Sequence, residues 1–494
     1  MKKFIFFETT NASPHLETSL ELAKRHLDRG DLVQYFFLGH AVSYTEFVVA
    51  KRKTVLFNRC LPERKGIALI AHKNLSFFSP SKSDLLLSLD LPFFSNTKDL
   101  KDFRYRGFNA GLSALSSLVS YRRHSNPDLS ENSILLRDML RSGISVYEFC
   151  LKVLKKERPS LVYVFNGRFV TNRAILDAAI EIKAPYLVHE RGADKTRYTA
   201  NPYMPHDFRR VRESISAAWN HGGGSAVEMA ELFFRERREG RDQGWVSFTK
   251  NQEKGLLKFD RASKSRLVTY FSSSDDEYVA VGDIVKWDRW PDQLSAVKSL
   301  LKVVARRPML HLIIRLHPHL LHKDSRDTER WLSLELPENA RVILPGHPTD
   351  TYELIEQSDV VVTSGSTTGI EAVYWGTPSI CLGPSLYSDL GAVYLPADEV
   401  ELEELLLSTN LTVDNDRALP YGYFMRTFGE TFAHYKADTL FSGRFMGVNL
   451  QQSGFCGFVR RSLALVNGVL SRLIRLIRRV FFIFRPERLT GFAK

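Results

Sequence analysis

Apolar positions recur along this chain in short β-branched or aromatic runs, each followed by small polar residues and then by apolar residues three and four apart. The first pattern predicts strands buried on both faces, and the second predicts amphipathic helices. Residues 4–7 (Phe-Ile-Phe-Phe) open as a strand, a helix is expected over 17–27 with its stop at Gly30, and a strand follows over 33–38. The loop between the first strand and that helix carries His15. From 51 to 138 the pattern is less regular, although 85–89 is apolar and the region 107–118 reads as a helix. Order returns with a strand at 161–165, then Asn166-Gly167-Arg168, a helix over 173–182, and a strand at 186–189 that runs into Glu190-Arg191-Gly192.

A second series begins with a strand at 268–271, followed by Ser272-Ser273-Ser274-Asp275-Asp276-Glu277. A helix with Gln293, Val297, Leu300, Leu301 and Val304 comes next, then a strand over 310–316 that runs into His317-Pro318-His319. A strand at 342–344, a helix at 351–356 and a strand at 360–362 continue the alternation. Strands alternating with helices predict parallel sheets, so an α/β chain with one architecture used twice is expected. The divisions expected are 1–216, a connection over 217–264, a second unit over 265–450, and a tail over 451–494. The connection holds Gly222-Gly223-Gly224 and the mixed-charge run Arg235-Glu236-Arg237-Arg238-Glu239, read as a solvated helix.

The stretch 359–383 is organised as strand, turn, helix and strand. Residues 363–369 are Thr-Ser-Gly-Ser-Thr-Thr-Gly, with no bulky side chain until Ile370. Helical spacing runs through Ile370, Val373 and Tyr374 and stops at Gly376 and Pro378, with a strand over 379–382. Such a turn exposes the first amides of a helix, where unpaired N–H groups and the dipole favour a phosphate. Ser364, Ser366, Thr367, Thr368 and Gly369 would line that site, and Glu371, one turn further in, would accept from ribose hydroxyls. Helix capping alone selects the same residue types. The turn lacks the Gly-Lys-Ser/Thr ending of a nucleoside-triphosphate loop and the Gly-x-Gly-x-x-Gly spacing of a dinucleotide fold.

In open parallel sheets ligands gather outside the carboxyl ends of the strands. Two strands of the first series end in a Gly-Arg or Arg-Gly cluster, and three of the second end in Ser-Ser-Ser-Asp, Arg-Leu-His-Pro-His and the glycine-hydroxyl turn.

Composition narrows the partners. The net charge is +12, from 68 Lys and Arg against 56 Asp and Glu, which suits nucleic acid, a membrane surface or an anionic substrate. Cys60, Cys150, Cys381 and Cys456 lack metal-ligand spacing, which fits a reducing compartment. The opening Met-Lys-Lys-Phe-Ile-Phe-Phe resembles the start of a signal peptide, but its apolar run stops at Glu8 and reads as a strand. No uninterrupted apolar run reaches the length of a membrane span. His317, His319 and His322 are read as loop histidines near a phosphate, because Pro318 breaks their register and no carboxylate stands at a useful spacing. Asp275, Asp276 and Glu277 suit either a divalent cation or a helix N-terminus.

In their order these motifs resemble a GT-B glycosyltransferase. More closely, they resemble the bacterial surface and capsular polysaccharide biosynthesis proteins, with distant similarity to capsule β-Kdo transferases and poly(glycerophosphate) transferases. The resemblance rests on Arg315 to Pro318 (Arg-x-His-Pro), on Asp350 to Tyr352 (Asp-Thr-Tyr), and on the glycine-hydroxyl turn continuing into Ile370-Glu371-Ala372. It is strong over 268–395 and looser over 161–197. It implies two Rossmann-like domains with parallel sheets facing a cleft, the donor nucleotide on the C-terminal domain and the acceptor on the N-terminal one.

On that reading Arg315, His317 and the amides of 366–369 stabilise a phosphate leaving group without a metal, with Ser273 and Ser274 beside them. Inverting transfer needs a base on the acceptor oxygen. Glu190 and His15 are the candidates, with Glu190 ranked first because Arg191 beside it would keep the carboxylate ionised. No cofactor is expected, the nucleotide sugar being a substrate; CMP-Kdo and a UDP-sugar both suit the donor role. The acceptor would be a capsule or lipopolysaccharide glycan. A non-hydrolysing sugar-nucleotide epimerase and a non-catalytic glycan-binding scaffold share the same motifs and stand as alternatives.

The tail carries Arg460, Arg461, Arg472, Arg475, Arg478 and Arg479 over 455–484. At about 100° per residue they fall within roughly one third of a helical wheel, opposite Val459, Leu463, Val466, Leu470, Leu473, Ile474, Ile477, Val480, Phe481 and Phe484. A basic amphipathic helix of this kind reads as an anchor on an anionic membrane surface, and the protein is expected to be cytoplasmic and peripheral. Aromatic interleaving for base stacking is missing, so no nucleic acid is expected.

Overall fold

A computed structural model describes residues 1–46, 62–85, 87, 89–245, 247–256, 259, 265–274, 280–282 and 284–451. The acidic run 275–277, Cys60, Cys456 and the basic tail over 455–484 lie outside the described residues.

The fold is α/β: two units, each a mainly parallel sheet with helices on both faces. In the first, β1 (Lys3–Glu8), β2 (Leu32–Phe37), β3 (Leu75–Phe78), β4 (Leu161–Phe165), β5 (Tyr186–Arg191) and β6 (Arg197–Asn201) are arranged in the order β6-β5-β4-β1-β2-β3. The first five run parallel, and β6 is antiparallel to β5. Alternation along β1 explains its two-sided burial. Ile5 and Phe7 join the core beneath the helices Ala110–Arg122, Ser133–Glu157 and Val170–Glu181, whereas Phe4 and Phe6 join the core beneath the helix His15–Asp28.

The second sheet is formed by β7 (Arg266–Phe271), β8 (Leu310–Arg315), β9 (Ala340–Ile343), β10 (Val360–Thr363) and β11 (Ser379–Cys381). It is parallel throughout, in the order β11-β10-β7-β8-β9. The same alternation holds on β7. Val268 and Tyr270 face the core with the helix Gln293–Arg306, while Leu267 and Phe271 face the core with the helix Thr351–Gln357.

Most expected strands of the two series form close to their expected bounds. Four expectations need correction. The helix Ser133–Glu157 and strands β3 and β6 are additional to the elements expected, and His15 opens a helix rather than sitting in the loop before it. The span 217–264 is not a free connection. The helices Phe208–Asn220 and Ala226–Arg238 pack through Ile215, Phe233 and Phe234 against Ile370, Val373 and Tyr421. Its charged run is docked too, with Arg237 on Glu371, Arg238 on Glu356 and Arg426 on Glu236.

Nor does the second unit run to 450. After the helix Leu419–Thr427 the chain returns to the first sheet, where β12 (Glu430–Thr431) pairs antiparallel with β6. The hairpin β13 (Tyr435–Thr439) and β14 (Ser442–Phe445) then places Tyr435, Phe445 and Leu450 in the core beside Phe4 and Phe6. Among the described residues no helix is long and apolar enough to cross a membrane.

Candidate functional site

Each sheet has one place where strand order reverses. In the first sheet it lies between β1 and β4, because the chain winds outward from β1 through β2 and β3 and then restarts at β4. In the second it lies between β7 and β10. A crevice opens at the carboxyl ends of such strand pairs, and the sequence-predicted site residues gather at both.

At the first crevice His15 Nδ1 stands 3.6 Å from Glu190 Oε1. The other carboxylate oxygen of Glu190 accepts from Asn166 Nδ2 at 2.7 Å, and Oε1 also accepts from the Arg191 backbone N–H at 3.0 Å. Asn166 follows β4 with φ of 56°, a left-handed position that asparagine tolerates better than most residues. His15 is buried, and burial followed by the nearby Arg191 charge holds its pKa well below the ordinary histidine value, so the imidazole is neutral. His189, one residue before Glu190, is likewise lowered to about 3 by burial and then by His15.

Arg191 stays within electrostatic reach of Glu190, although the two side chains make no direct ion pair among the described residues. The guanidinium lies over the rings of Phe441, at 4.5 Å, and Trp245, at 5.6 Å.

At the second crevice the Tyr270 hydroxyl lies 2.8 Å from Ser364 Oγ and 3.0 Å from Gln293 Oε1, joining β7 to β10. Ser273 N–H donates to Gln293 Oε1 at 2.6 Å, and its hydroxyl donates to the Ser364 carbonyl at 3.4 Å. Ser274 Oγ accepts from Lys323 Nζ at 2.6 Å and lies 3.3 Å from His319 Nδ1.

The glycine-hydroxyl turn has the form expected of it. Gly365 takes φ of +95°, and a Cβ there would fall 2.1 Å from the Pro384 carbonyl oxygen. Ser366 caps the helix Thr367–Tyr374 through the Thr368 N–H, and its hydroxyl lies 3.1 Å from that of Thr368. Gly369 allows close packing, since a Cβ would meet the Tyr387 hydroxyl at 2.6 Å and Thr363 Oγ1 at 2.8 Å.

Two residues assigned to the nucleotide on sequence grounds point elsewhere. Glu371 is buried, with Oε1 on Arg237 Nε at 2.8 Å and Oε2 on the Tyr352 hydroxyl, so it does not accept from a ribose. Burial opposes the Arg237 charge, but Glu371 outweighs it and raises the pKa, while Nη2 of the same guanidinium donates to Thr367 Oγ1 at 3.2 Å. Arg315 is 3 % exposed and donates to the carbonyls of Leu344 and His347. It ties β8 to the loop after β9, and burial lowers its pKa to about 10.

His317 is also displaced from its expected role as a cation. Its pKa falls to about 3, mainly through burial and then through His319 and Lys323, and its Nδ1 accepts from the His319 N–H at 3.1 Å. Lys323, which follows the histidine cluster, is the ammonium that reaches the serine loop. Among the described residues no group of three His, Cys, Asp or Glu side chains could hold a metal ion.

One loop touches both crevices. Trp245 lies against Arg191 at the first, and the Phe248 ring lies 5.2 Å from His317 and 5.8 Å from His319 at the second. Its approach is close, since a Cβ on Gly244 would stand 2.9 Å from the Ala193 carbonyl. The sequence reading missed Asn166 as a ligand of Glu190, and it missed Lys323, Trp245, Phe248 and Phe441. Of these, Asn166 in the strand-end cluster and Lys323, six residues after His317, carried a local signal.

Residues 282–397 match the family model described as capsule polysaccharide biosynthesis protein. No curated protein sequence matches the chain. Among solved structures, the beta Kdo 2,4 transferase KpsC of Thermosulfurimonas dismutans is similar at 15% identity and a TM-score of 0.35, covering 54% of this chain and 80% of that one. The UDP-GlcNAc 2-epimerase of Neisseria meningitidis bound to UDP-GlcNAc is similar at 12% identity and a TM-score of 0.29, covering 86% and 97%. The glycotransferase of kitacinnamycin is similar at 13% identity and a TM-score of 0.24, covering 86% and 94%. The family match thus falls within the second unit, on residues that include the His317 loop end and the glycine-hydroxyl turn.

Proposed function

We propose that the protein is a glycosyltransferase that moves a sugar from a nucleotide-sugar donor to a surface-polysaccharide acceptor with inversion. The observation that carries this reading is the pair Trp245 and Phe248, close in sequence, of which the first lies against Arg191 beside Glu190 and the second against His317. A carboxylate at one wall and a hydroxyl-rich helix start at the other are the two parts that a single displacement needs.

On this reading the donor phosphates lie against the N-terminal amides of the helix Thr367–Tyr374 and the hydroxyls of Ser273, Ser274, Ser366 and Thr368. Lys323 and the helix dipole offset the charge that grows on the phosphate as the glycosidic bond breaks. Ser364 and Gly369 shape the turn. Glu190 is the base. Its side chain is 22% exposed against 8% for His15, so the carboxylate faces the cleft and the imidazole sits behind it. The carboxylate takes the proton of the acceptor hydroxyl, the freed oxygen attacks the anomeric carbon, and the nucleotide departs from the opposite face. The charge stabilisation described here uses side chains and amides and draws on no metal.

The acceptor is a capsule or lipopolysaccharide glycan, and the tail holds the enzyme on the cytoplasmic face of an anionic membrane. Gln451 donates from Nε2 to the Asn11 carbonyl at 2.6 Å, which holds residue 451 beside the loop that leads to His15.

Calorimetry of the full chain against CMP, UDP, GDP and CDP tests the donor site. One nucleotide should bind, and Lys323→Ala should weaken it; no binding by any of the four sinks the reading. Incubation with the donor alone separates the rival chemistry, since an epimerised nucleotide sugar formed without acceptor would mean an epimerase.

A further inference from the structure

The Arg191 guanidinium is unusual for a cation at a sheet edge. Its Nε and Nη1 are both buried and have no hydrogen-bond partner among the described residues. Among the described residues no carboxylate forms a direct ion pair with it; Glu190, whose charge it feels, places its oxygens on His15 and Asn166. Instead it is clasped by two aromatic rings, Phe441 at 4.5 Å and Trp245 at 5.6 Å, which contribute cation–π attraction but leave the donors unsatisfied. Leaving donors of a buried charge unmade is costly, and the cost is relieved when an anion arrives. The rings have a second property. Phe441 is 54% and Trp245 63% exposed, so each presents apolar surface to the solvent beside the cation. They come from different parts of the chain, the turn of the β13–β14 hairpin and the loop that spans the two crevices.

We infer that Arg191, Trp245 and Phe441 form a subsite for an acidic sugar of the acceptor, the guanidinium taking its oxyanion and the two rings its apolar face. A planar fork suits a carboxylate or a phosphate equally, and aromatic faces suit the C–H side of a pyranose. The subsite rests on the transferase reading, because it lies beside the Glu190 base and on the acceptor side of the cleft. Arg191 thereby acts as a binding residue for the acceptor, while the base is Glu190.

Tryptophan emission of the full chain, with W245F as the control for the other five tryptophans, reports on the subsite directly. D-glucuronate and glucose 6-phosphate serve as the carboxylate and phosphate probes, and glucose as the neutral one, all at matched ionic strength. One acidic probe should shift Trp245 emission saturably and glucose should not, and whichever acts identifies the oxyanion. Arg191→Gln should weaken that probe by roughly tenfold or more, the value of a charge-assisted bond. The same variant should keep the wild-type affinity for the donor nucleotide and should stay folded, since the loss of the two ring contacts is offset by removing two unsatisfied buried donors.

Should the glutamine variant fail to fold, Arg191→Lys carries the test, because it keeps the charge and loses the fork, and it should still weaken the probe. Equal binding of glucose and the acidic probes overturns the inference. So does an acidic-probe affinity within twofold of wild type in the substituted protein, or a loss of nucleotide affinity in its place. Absence of nucleotide binding in the wild type, with the oxyanion effect intact, would instead count against the transferase reading.

Discussion

Arg237 Nε donates to Glu371 Oε1 at 2.8 Å, and so ties the helix Ala226–Arg238 to the helix that starts at the glycine-hydroxyl turn. Tyr352 completes the contact from a third helix. The turn is thus braced from behind by a buried carboxylate that never reaches the cleft.

Breaking that brace should cost stability. Arg237→Ala leaves Glu371 buried beside Tyr352 without its cation, at a cost of roughly 2–4 kcal/mol once the partial exposure of Arg237 is discounted. Urea denaturation should show a lower midpoint with an unchanged slope. Nucleotide affinity of the folded protein should stay near wild type for Glu371→Gln, because the carboxylate is not a ligand. A large loss of affinity without a loss of stability would restore Glu371 to the binding site.

Glu190→Gln keeps the bond to Asn166 and removes the base. Turnover should fall by roughly 10²–10⁴-fold, with little change in the donor KM. His15→Asn should have the smaller effect, because His15 touches the base and not the acceptor. Steady-state transfer assays with each substrate varied in turn would measure both, and equal activity of E190Q and wild type would move the base elsewhere.

The stability contributed by two buried carboxyls should fall as pH rises from acid to neutral. Its sign is opposite to that of the contribution from the neutral His15, His189 and His317. Burial raises Glu8 to about 8 and Glu17 to about 7, both from an ordinary 4.5. Below pH 4.5 both the folded and unfolded chains hold these protons, and the contribution is fully present. Above it the unfolded chain releases them first, so stability is lost until the folded carboxyls also titrate near pH 7–8. Glu17→Gln should therefore stabilise the protein at pH 8 by up to about 3 kcal/mol and make little difference at pH 4.5. Thermal melts of the two proteins across that range would show it as curves that diverge with pH.

Gly365→Ala should destabilise the turn by roughly 1–3 kcal/mol, since φ of +95° and a Cβ 2.1 Å from the Pro384 carbonyl are both unfavourable. Nucleotide affinity should fall along with it, because Ser364 and Ser366 flank this residue. A variant with wild-type melting and binding would show that the turn can rearrange.

Removal of 452–494 should release the protein from vesicles rich in anionic lipid and leave nucleotide binding intact. Six arginines at roughly 1 kcal/mol each near an anionic surface make the adsorption salt-sensitive. Co-sedimentation in low and high salt measures this. If the full chain ignores vesicles and the truncated one aggregates, the tail belongs to the fold.

The strands and their polar ends were legible in the sequence because they are local. A β-branched run such as Val360-Val361-Val362 buries both faces wherever it lies in a parallel sheet, and Gly365 with Ser366 marks the turn after it through backbone conformation and capping alone. Ser273, Ser274 and Glu190 were placed at strand ends by the same reasoning. What a side chain meets there was decided by the tertiary structure. Glu371 and Arg315 sit in motif positions that suit a nucleotide, yet a helix 134 residues upstream claims the first and the carbonyls of Leu344 and His347 claim the second. His317 loses its charge to burial, which no spacing reveals. Arg191 acquires Phe441 from a hairpin at the far end of the chain, after the backbone has crossed both sheets and returned. Local propensity fixes where strands stop; solvent exclusion and long-range packing fix which of the charges at those ends remain open to a ligand.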